Sequence, residues 1–388
     1  MNNVPKDVYV LGSGIVGFGK HLDKSLKDLG KEAIRLALAE ANVEAEQIEA
    51  AYVANAMGGL ITGQECVVGQ IVLQAAGIHS IPVFNIENAC ASGSSALHLA
   101  VQNIRAGTRR IVLVVGVEKL YHPDRMVTSK ALAAASDVEL LPENVPASFF
   151  MEVYAEEVKR YMAMHRCDMV PFAQVAVKNR AHAAMNPHAQ YRDPITVDEV
   201  LHAPVVVAPL TRLMCSPISD GAAALVLGTE EFLEPNAPKV KIAASQLVSG
   251  GGRENIVVRA AKLAYQEAGI SPADVSVAEV HDATASAEVV LCEELGFCEA
   301  GEGYKWALEG HTAIGGKLPV NVSGGLLSRG HPIAVTGVAQ IVELTDHLKE
   351  RAGARQVTGA RIGLAENAGG WVNRDAAACA VHILERTF

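Results

Sequence analysis

The most constraining feature of this sequence is an echo of its first part in its second. Val8-Tyr-Val-Leu-Gly-Ser-Gly returns as Val240-Lys-Ile-Ala-Ala-Ser-Gln, and Asn85-Ile-Glu-Asn-Ala-Cys-Ala-Ser-Gly returns as Asn321-Val-Ser-Gly-Gly. The separations, from 8 to 240 and from 85 to 321, are 232 and 236 residues. Each opening string is followed by a helical pattern, Ser25–Ala41 and Asn255–Ala268, that ends in turn formers. Near-constant spacing across distinct elements is what a duplicated supersecondary unit leaves behind. Two such halves are expected to pack as a pseudo-dimer, with sites where equivalent loops meet.

The strings themselves read as α/β. Short β-rich runs (Val8–Leu11, Ala51–Asn55, Ile111–Val117) alternate with helical stretches such as Ser94–Arg105. Strands that are apolar without interruption imply a sheet covered on both faces. Only 5% of residues are aromatic and 34 are glycine, which suits close approach of helix to strand. The segment between the halves differs in character, holding "YHPDRMVTSK" and "NPHAQYRDPITVDEV" before "SPISDGAAALVLG" returns to strand. We therefore expect a first half over 1–118, an inserted loop domain or lid over 119–234 with a return strand near its end, and a second half over 235–388.

Charge and cysteine usage narrow the function classes. Lys plus Arg number 33 against 43 Asp plus Glu, a net charge of −10. That balance argues against nucleic-acid and anionic-membrane binding. No apolar run reaches the ~20 residues of a spanning helix, and the first residues lack a signal-peptide pattern, so a cytoplasmic protein is expected. The seven cysteines include no CxxC pair, which disfavours both a structural zinc site and a disulfide framework. No metal is expected, and each cysteine is either a small apolar residue or a reactive one.

Gly12-Ser-Gly-Ile-Val-Gly17 matches the dinucleotide fingerprint, but no helix opens directly after it and no acidic residue ends the next strand. A glycine-rich turn is the expected role. Cys90, in Asn88-Ala-Cys-Ala-Ser-Gly, lies between a strand and a helix start. Free amides and the helix dipole there favour a thiolate, and the small neighbours admit an acyl group, as at a nucleophile elbow. His331, in Ser328-Arg-Gly-His-Pro, occupies the equivalent region of the second half and is the expected proton acceptor. His281, in Val280-His-Asp-Ala, sits at a strand end. In Gly363-Leu-Ala-Glu-Asn-Ala-Gly-Gly370, the amide of Gly370 can join that of Cys90 in an oxyanion hole.

Taken together, "NACASGSSAL", "VHDA", "NVSGG", "SRGHPIAVTG" and "AENAGG" resemble the thiolases, and the resemblance spans essentially the whole chain. The His-Asp pair is similar to the sterol carrier protein-type and archaeal branches, with the thiolase subunit of a benzoylsuccinyl-CoA-type enzyme a further likeness. The resemblance implies the thiolase fold: two pseudo-symmetric βαβαβαββ halves in a five-layer αβαβα sandwich with a loop domain. It also implies a homodimer, coenzyme A as substrate rather than a bound cofactor, and acyl transfer through an acyl-Cys90 intermediate. His331 would deprotonate Cys90, and His281 would bind the oxygen of the carbonyl that becomes an enolate. Unusual β-ketoacyl-CoAs, including aromatic ones, and a small zinc-ribbon/OB-fold accessory subunit are further implications. For the coenzyme A phosphates, Arg212 and the loop Ser249-Gly250-Gly-Gly-Arg253 before a helix are the candidates.

The chain also departs from that pattern. The second cysteine of degradative thiolases is absent from "ENAGG", and Ala283 stands where some sterol carrier protein-type enzymes carry it. The second acid is left to His281, Glu366 or a substrate carboxylate, with Cys292 and Cys298 poorly spaced for it. Two other functions fit such a scaffold: a thiolase-like retro-aldol lyase acting on β-hydroxyacyl-CoA, and a non-catalytic acyl-CoA or lipid carrier. Cys90 argues against the first, and Cys90, His281 and His331 together disfavour the second.

Overall fold

The structure is a computed structural model that describes residues 5–141, 148–234 and 238–387. Its strands are β1 (Tyr9–Gly19), β2 (Ala51–Ala54), β3 (Val83–Ile86), β4 (Ile111–Glu118), β5 (Val205–Val207), β6 (Leu210–Thr211), β7 (Asp220–Gly228), β8 (Lys239–Ser249), β9 (Val277–Glu279), β10 (Ile362–Gly369) and β11 (Ala378–Thr387). Among the described residues, β5 and β6 form a small hairpin and the other nine form one sheet in the order β3-β2-β4-β7-β1-β8-β11-β10-β9.

That order reads as a palindrome about the β1–β8 junction. The parallel β2–β4 and antiparallel β4–β7 and β7–β1 pairings of the first half are matched by β9–β10, β10–β11 and β11–β8 of the second. The counterpart of β3 is reduced to a parallel bridge between Ala278 and Val320. The two halves meet narrowly, with Tyr9 opposite Lys241 and the Ile242 N–H on the Val8 carbonyl at 2.8 Å.

Side-chain alternation along the strands builds the layers. Val8, Val10, Val112 and Val114 face inward with Val240, Ile242 and Leu384, onto the central helices Ser92–Arg105 and Thr336–Leu348. Tyr9, Leu11, Leu113 and Val115 face outward onto the Leu26–Ala41 helix. Ala244, Leu364, Val381 and Ile383 do the same for the Ile256–Ala268 helix. Helix, half-sheet, helices, half-sheet and helix thus succeed one another, as the thiolase resemblance implies. The outer helices begin where the sequence signals: Ser25 and Asp28 form a capping box, and Asn255 takes the N–H groups of Val257 and Val258.

The glycine string is not a turn. Gly12, Gly14 and Gly17 all lie within β1, and a Cβ on Gly12 or Gly14 would stand 2.4 or 2.3 Å from a carbonyl oxygen of the Leu26–Ala41 helix. These two glycines let that helix press onto the strand, a role that turn propensity cannot distinguish from a loop.

After β4 the chain forms the helices Arg125–Ala133, Phe149–His165 and Val170–Ala184, and then returns through β7. This segment has its own core (Val158, Phe172, Val175, Leu210), closed by Ala285 and Val289 of the second half. No described helix is long and apolar enough to cross a membrane.

Candidate active site

Cys90 sits where β3 gives way to the first central helix. Ala89 takes φ +48°, Cys90 follows in a single 3-10 turn, and the helix starts at Ser92. Hydroxyls close the turn: Ser92 Oγ accepts the Asn88 N–H at 2.8 Å and donates to the Ala89 carbonyl, and Asn88 Nδ2 donates to Ser95 Oγ at 2.9 Å. The end of β10 lies against this turn. A Cβ on Gly369 would stand 2.3 Å from the Ala91 nitrogen, and Gly370, at φ +70°, turns its N–H towards the Cys90 sulfur.

The expectation of a resting thiolate is not met. Burial, reinforced by the charge of Glu118, pushes the Cys90 thiol up to about 12, against the N–H groups of Gly370 and of Cys90 itself. Desolvation outweighs the helix start because the sulfur lies at the floor of a largely apolar chamber. Glu118, the last residue of β4, escaped sequence reasoning. It is fully buried, and its carboxylate takes the N–H groups of Ala56, Met57 and Ala334 while burial lifts it to about 7.

His331 is brought alongside by the second half. Its N–H donates to Ser219 Oγ at 2.9 Å and its Nδ1 meets Thr336 Oγ1 at 2.8 Å, which leaves Nε2 for the chamber. Burial, then the neighbouring His281 and Arg329, hold it well below the usual imidazole range. His281 follows β9. Its Nδ1 faces Asn367 Nδ2 at 2.8 Å, and Asn367 Oδ1 accepts from Ser94 Oγ at 3.1 Å. With the Asn367 amide donating, Nδ1 is an acceptor and the ring proton sits on Nε2. Burial lowers His281 to about 4, so it is a neutral donor. Asn367 lies inside the "ENAGG" string, but only its contact reveals its role.

The two rings meet edge to face with centroids 5.1 Å apart, and the Cys90 sulfur and one nitrogen of each ring all lie within 4.8 Å of one another. These donor types would also suit a soft metal ion, which sequence spacing did not suggest. The nearby carboxylates do not complete such a set, since Glu118 and Glu366 are turned onto backbone N–H groups. Glu366 takes the His281 N–H at 3.0 Å and the Cys379 thiol, and it lines neither cavity of the site. Cys292 and Cys298 belong to the outer core of the second half.

The trio forms the floor of a cavity of about 190 Å³ walled by Leu120, Leu132, Phe150, Ile218 and Trp371. Its mouth shares Phe150, Met151 and Ser216–Ile218 with an outer cleft of about 1020 Å³. Lys20, Arg125, Arg180 and Arg212 line that cleft. Of the sequence candidates for the phosphates, Arg212 is among these four. Ser249, Gly250 and Arg253 line neither cavity: Ser249 pairs with Ala378 as β8 ends, and the Gly250 N–H binds the Ala377 carbonyl. The loop is held beside β11 by the sheet register, with Gly250 packed on Ala376.

Family models for the thiolase N-terminal domain and the thiolase C-terminal domain-like region match residues 8–231 and 253–386. An acetyl-CoA acetyltransferase of Methanothermobacter thermautotrophicus is 37% identical, covering 98% of this chain and all of that protein. The benzoylsuccinyl-CoA thiolase subunit BbsB of Thauera aromatica is 34% identical over 91% of each chain. Human sterol carrier protein 2 is 32% identical over 93% of this chain and 70% of its own length. Among solved structures, an Ltp2-ChsH2(DUF35) aldolase superimposes with a TM-score of 0.81 at 25% identity, over 99% of this chain and 98% of the other.

Proposed function

Since this chain belongs to the thiolase family and is an acyltransferase, we propose that it exchanges acyl groups between a β-ketoacyl-CoA and coenzyme A through an acyl-Cys90 intermediate. The observation that carries this is the meeting of Cys90, His281 and His331 within 4.8 Å at the floor of an apolar chamber that opens onto a cationic cleft.

In thiolysis, His331 Nε2 takes the Cys90 proton as the sulfur attacks the β-carbonyl, because a thiol at about 12 reacts only with its base beside it. The amides of Cys90 and Gly370 stabilise the tetrahedral oxyanion, and each such donor is worth about 3–4 kcal/mol. The Cα–Cβ bond breaks, the acyl chain stays on sulfur, and the departing enolate oxygen rests on the Nε2–H of His281. Among the described residues, Cys90 supplies the one thiol in the chamber lining. The proton that His331 took therefore returns to the enolate carbon. The coenzyme A thiol then attacks the acyl carbon, its proton passing through His331 Nε2 to the departing Cys90 sulfur, and condensation is the reverse.

The cationic cleft, Arg212 included, would hold the coenzyme A phosphates, and the chamber would hold the acyl chain. Phe150 and Trp371 in its wall are compatible with aromatic chains. The edge strand β3, with Phe84 46% exposed, supports pairing of two copies, and the subunit named in the Thauera relative supports an accessory chain. The aldolase neighbour favours one rival, retro-aldol cleavage. Intact-mass measurement after incubation with a β-ketoacyl-CoA separates the two readings. An adduct of the acyl mass that vanishes in Cys90→Ala is expected, whereas turnover without any adduct supports the aldolase reading.

A further inference from the structure

Two polar groups in the acyl chamber take no part in the chemistry above. Tyr154 and Glu157 lie one turn apart on the Phe149–His165 helix and both line the chamber. Residues three apart share a helix face. Among the described residues, Glu157 is the one carboxyl in the lining, and the lining holds no Lys or Arg. Among the described residues no hydrogen bond or ion pair holds either the Glu157 carboxyl or the Tyr154 hydroxyl. Arg160, the cation that acts on Glu157, is exposed and does not pair with it.

We propose that Glu157 and Tyr154 form a recognition point for a neutral oxygen, a hydroxyl or a carbonyl, carried on the acyl chain of the substrate. The proposal rests on the thiolase reading and names its substrate class. Both side chains are half-buried, so an acyl chain that fills the chamber strips their water, and a ligand oxygen that replaces that water recovers the cost. Burial raises both groups, so Tyr154 stays a hydroxyl and Glu157 holds its proton more readily, offering both a donor and an acceptor. A plain hydrocarbon chain leaves both groups unsatisfied. A carboxylated chain brings a second acid into a lining without a cation, where like charges oppose each other's ionisation.

The test is thiolysis of three β-ketoacyl-CoAs of equal length ending in methyl, hydroxyl or carboxylate, by the wild type, Glu157→Gln, Glu157→Leu and Tyr154→Phe. For the wild type we expect kcat/KM for the hydroxylated chain to exceed that for the methyl chain by roughly tenfold or more, with the carboxylated chain slowest. Glu157→Leu should bring the hydroxyl-to-methyl ratio to about one, and Glu157→Gln, which still donates, should keep most of it. Tyr154→Phe should lower the ratio severalfold, and it carries the test if the leucine variant does not fold. A flat wild-type ratio, a ratio unmoved in Glu157→Leu and Tyr154→Phe, or an equal loss on all three chains would overturn the proposal. The last result would mark Glu157 as a proton-transfer group. No turnover of any chain, and no acyl adduct, would instead overturn the thiolase reading.

Discussion

In the first half the chain passes from β3 to its central helix in five residues, Glu87 to Ala91, whereas the second half takes fifteen, Asn321 to Val335, over the same path. The short route is closed by Ser92 and Ser95 and puts Cys90 at the helix start. The long route adds the helix Gly325–Arg329 and is anchored by buried polar groups: Asp282 takes the Leu326 N–H at 2.7 Å, and Arg329 pairs with Glu279 at 3.3 Å. The strands and central helices are alike in the two halves and set the frame. The unequal connections place Cys90 at the end of one and His331 at the end of the other, the proposed nucleophile and its proposed base. The lesson is that a duplicated sheet supplies convergence, and divergence in two short loops supplies chemistry.

Breaking either side should be severe and unequal. Cys90→Ala removes the covalent route, and a loss of at least ~10⁴ in kcat is expected, with the fold intact by circular dichroism. His331→Ala removes a general base and should cost ~10²–10⁴. Equal, small losses would mean that the trio is not the reacting centre.

Asn367→Asp sharpens the comparison, because Asn367 spans both halves, touching His281 of the second and Ser94 of the first. A carboxylate there would draw the proton to His281 Nδ1 and leave Nε2 without one. Loss of that donor is expected to lower kcat by ~10²–10³, as for an oxyanion-hole donor, with KM little changed.

The resting state of Cys90 can be read by alkylation without substrate. A thiol raised by burial is protonated below its pKa, so its thiolate fraction grows with pH. With Cys90 at about 12, iodoacetamide labelling at that residue should climb from pH 7 to pH 10 without a plateau, roughly tenfold per unit. A plateau below pH 8 would mean that the helix start prevails over burial after all.

Much of this was legible in the residues. The echo gave the paired strands, and small residues around Cys90, His331, His281 and Gly370 marked places where backbone and ligand can approach closely. What was not legible depends on tertiary contact. The protonation of Cys90 follows from depth in the chamber and from Glu118, neither of which has a local signal. The proton on His281 is decided by Asn367, 86 residues away in the chain. Tyr154 and Glu157 sit on an ordinary amphipathic helix, and packing of the inserted segment against the second half points them inward. The Ser249–Arg253 loop reads as an anion site because glycines before a helix often are one, and its pairing with β11, which leaves it out of the lining of both cavities, has no local signal.

The smallest effect on turnover is expected where the halves differ in packing alone. Gly12 in β1 and Ala244 in β8 are pseudo-equivalent, each beneath its outer helix. Ala244 is fully buried yet fits its place, while a Cβ on Gly12 would stand 2.4 Å from the Ala37 carbonyl and 2.5 Å from the Ala41 nitrogen. The first helix therefore rides closer to its strand than the second, and Gly12→Ala must push it outward. Overpacking of this kind costs about 1–3 kcal/mol, to be read as a lowered urea midpoint with an unchanged m-value. The displaced helix covers the outer face of the sheet, away from the central helices that carry the reacting groups, so kcat should hold. Ala244→Gly should instead loosen a filled contact and cost about 1 kcal/mol. A stabilising Gly12→Ala would show that the two helices stand equally far from the sheet and that the glycines of β1 answer to something other than packing.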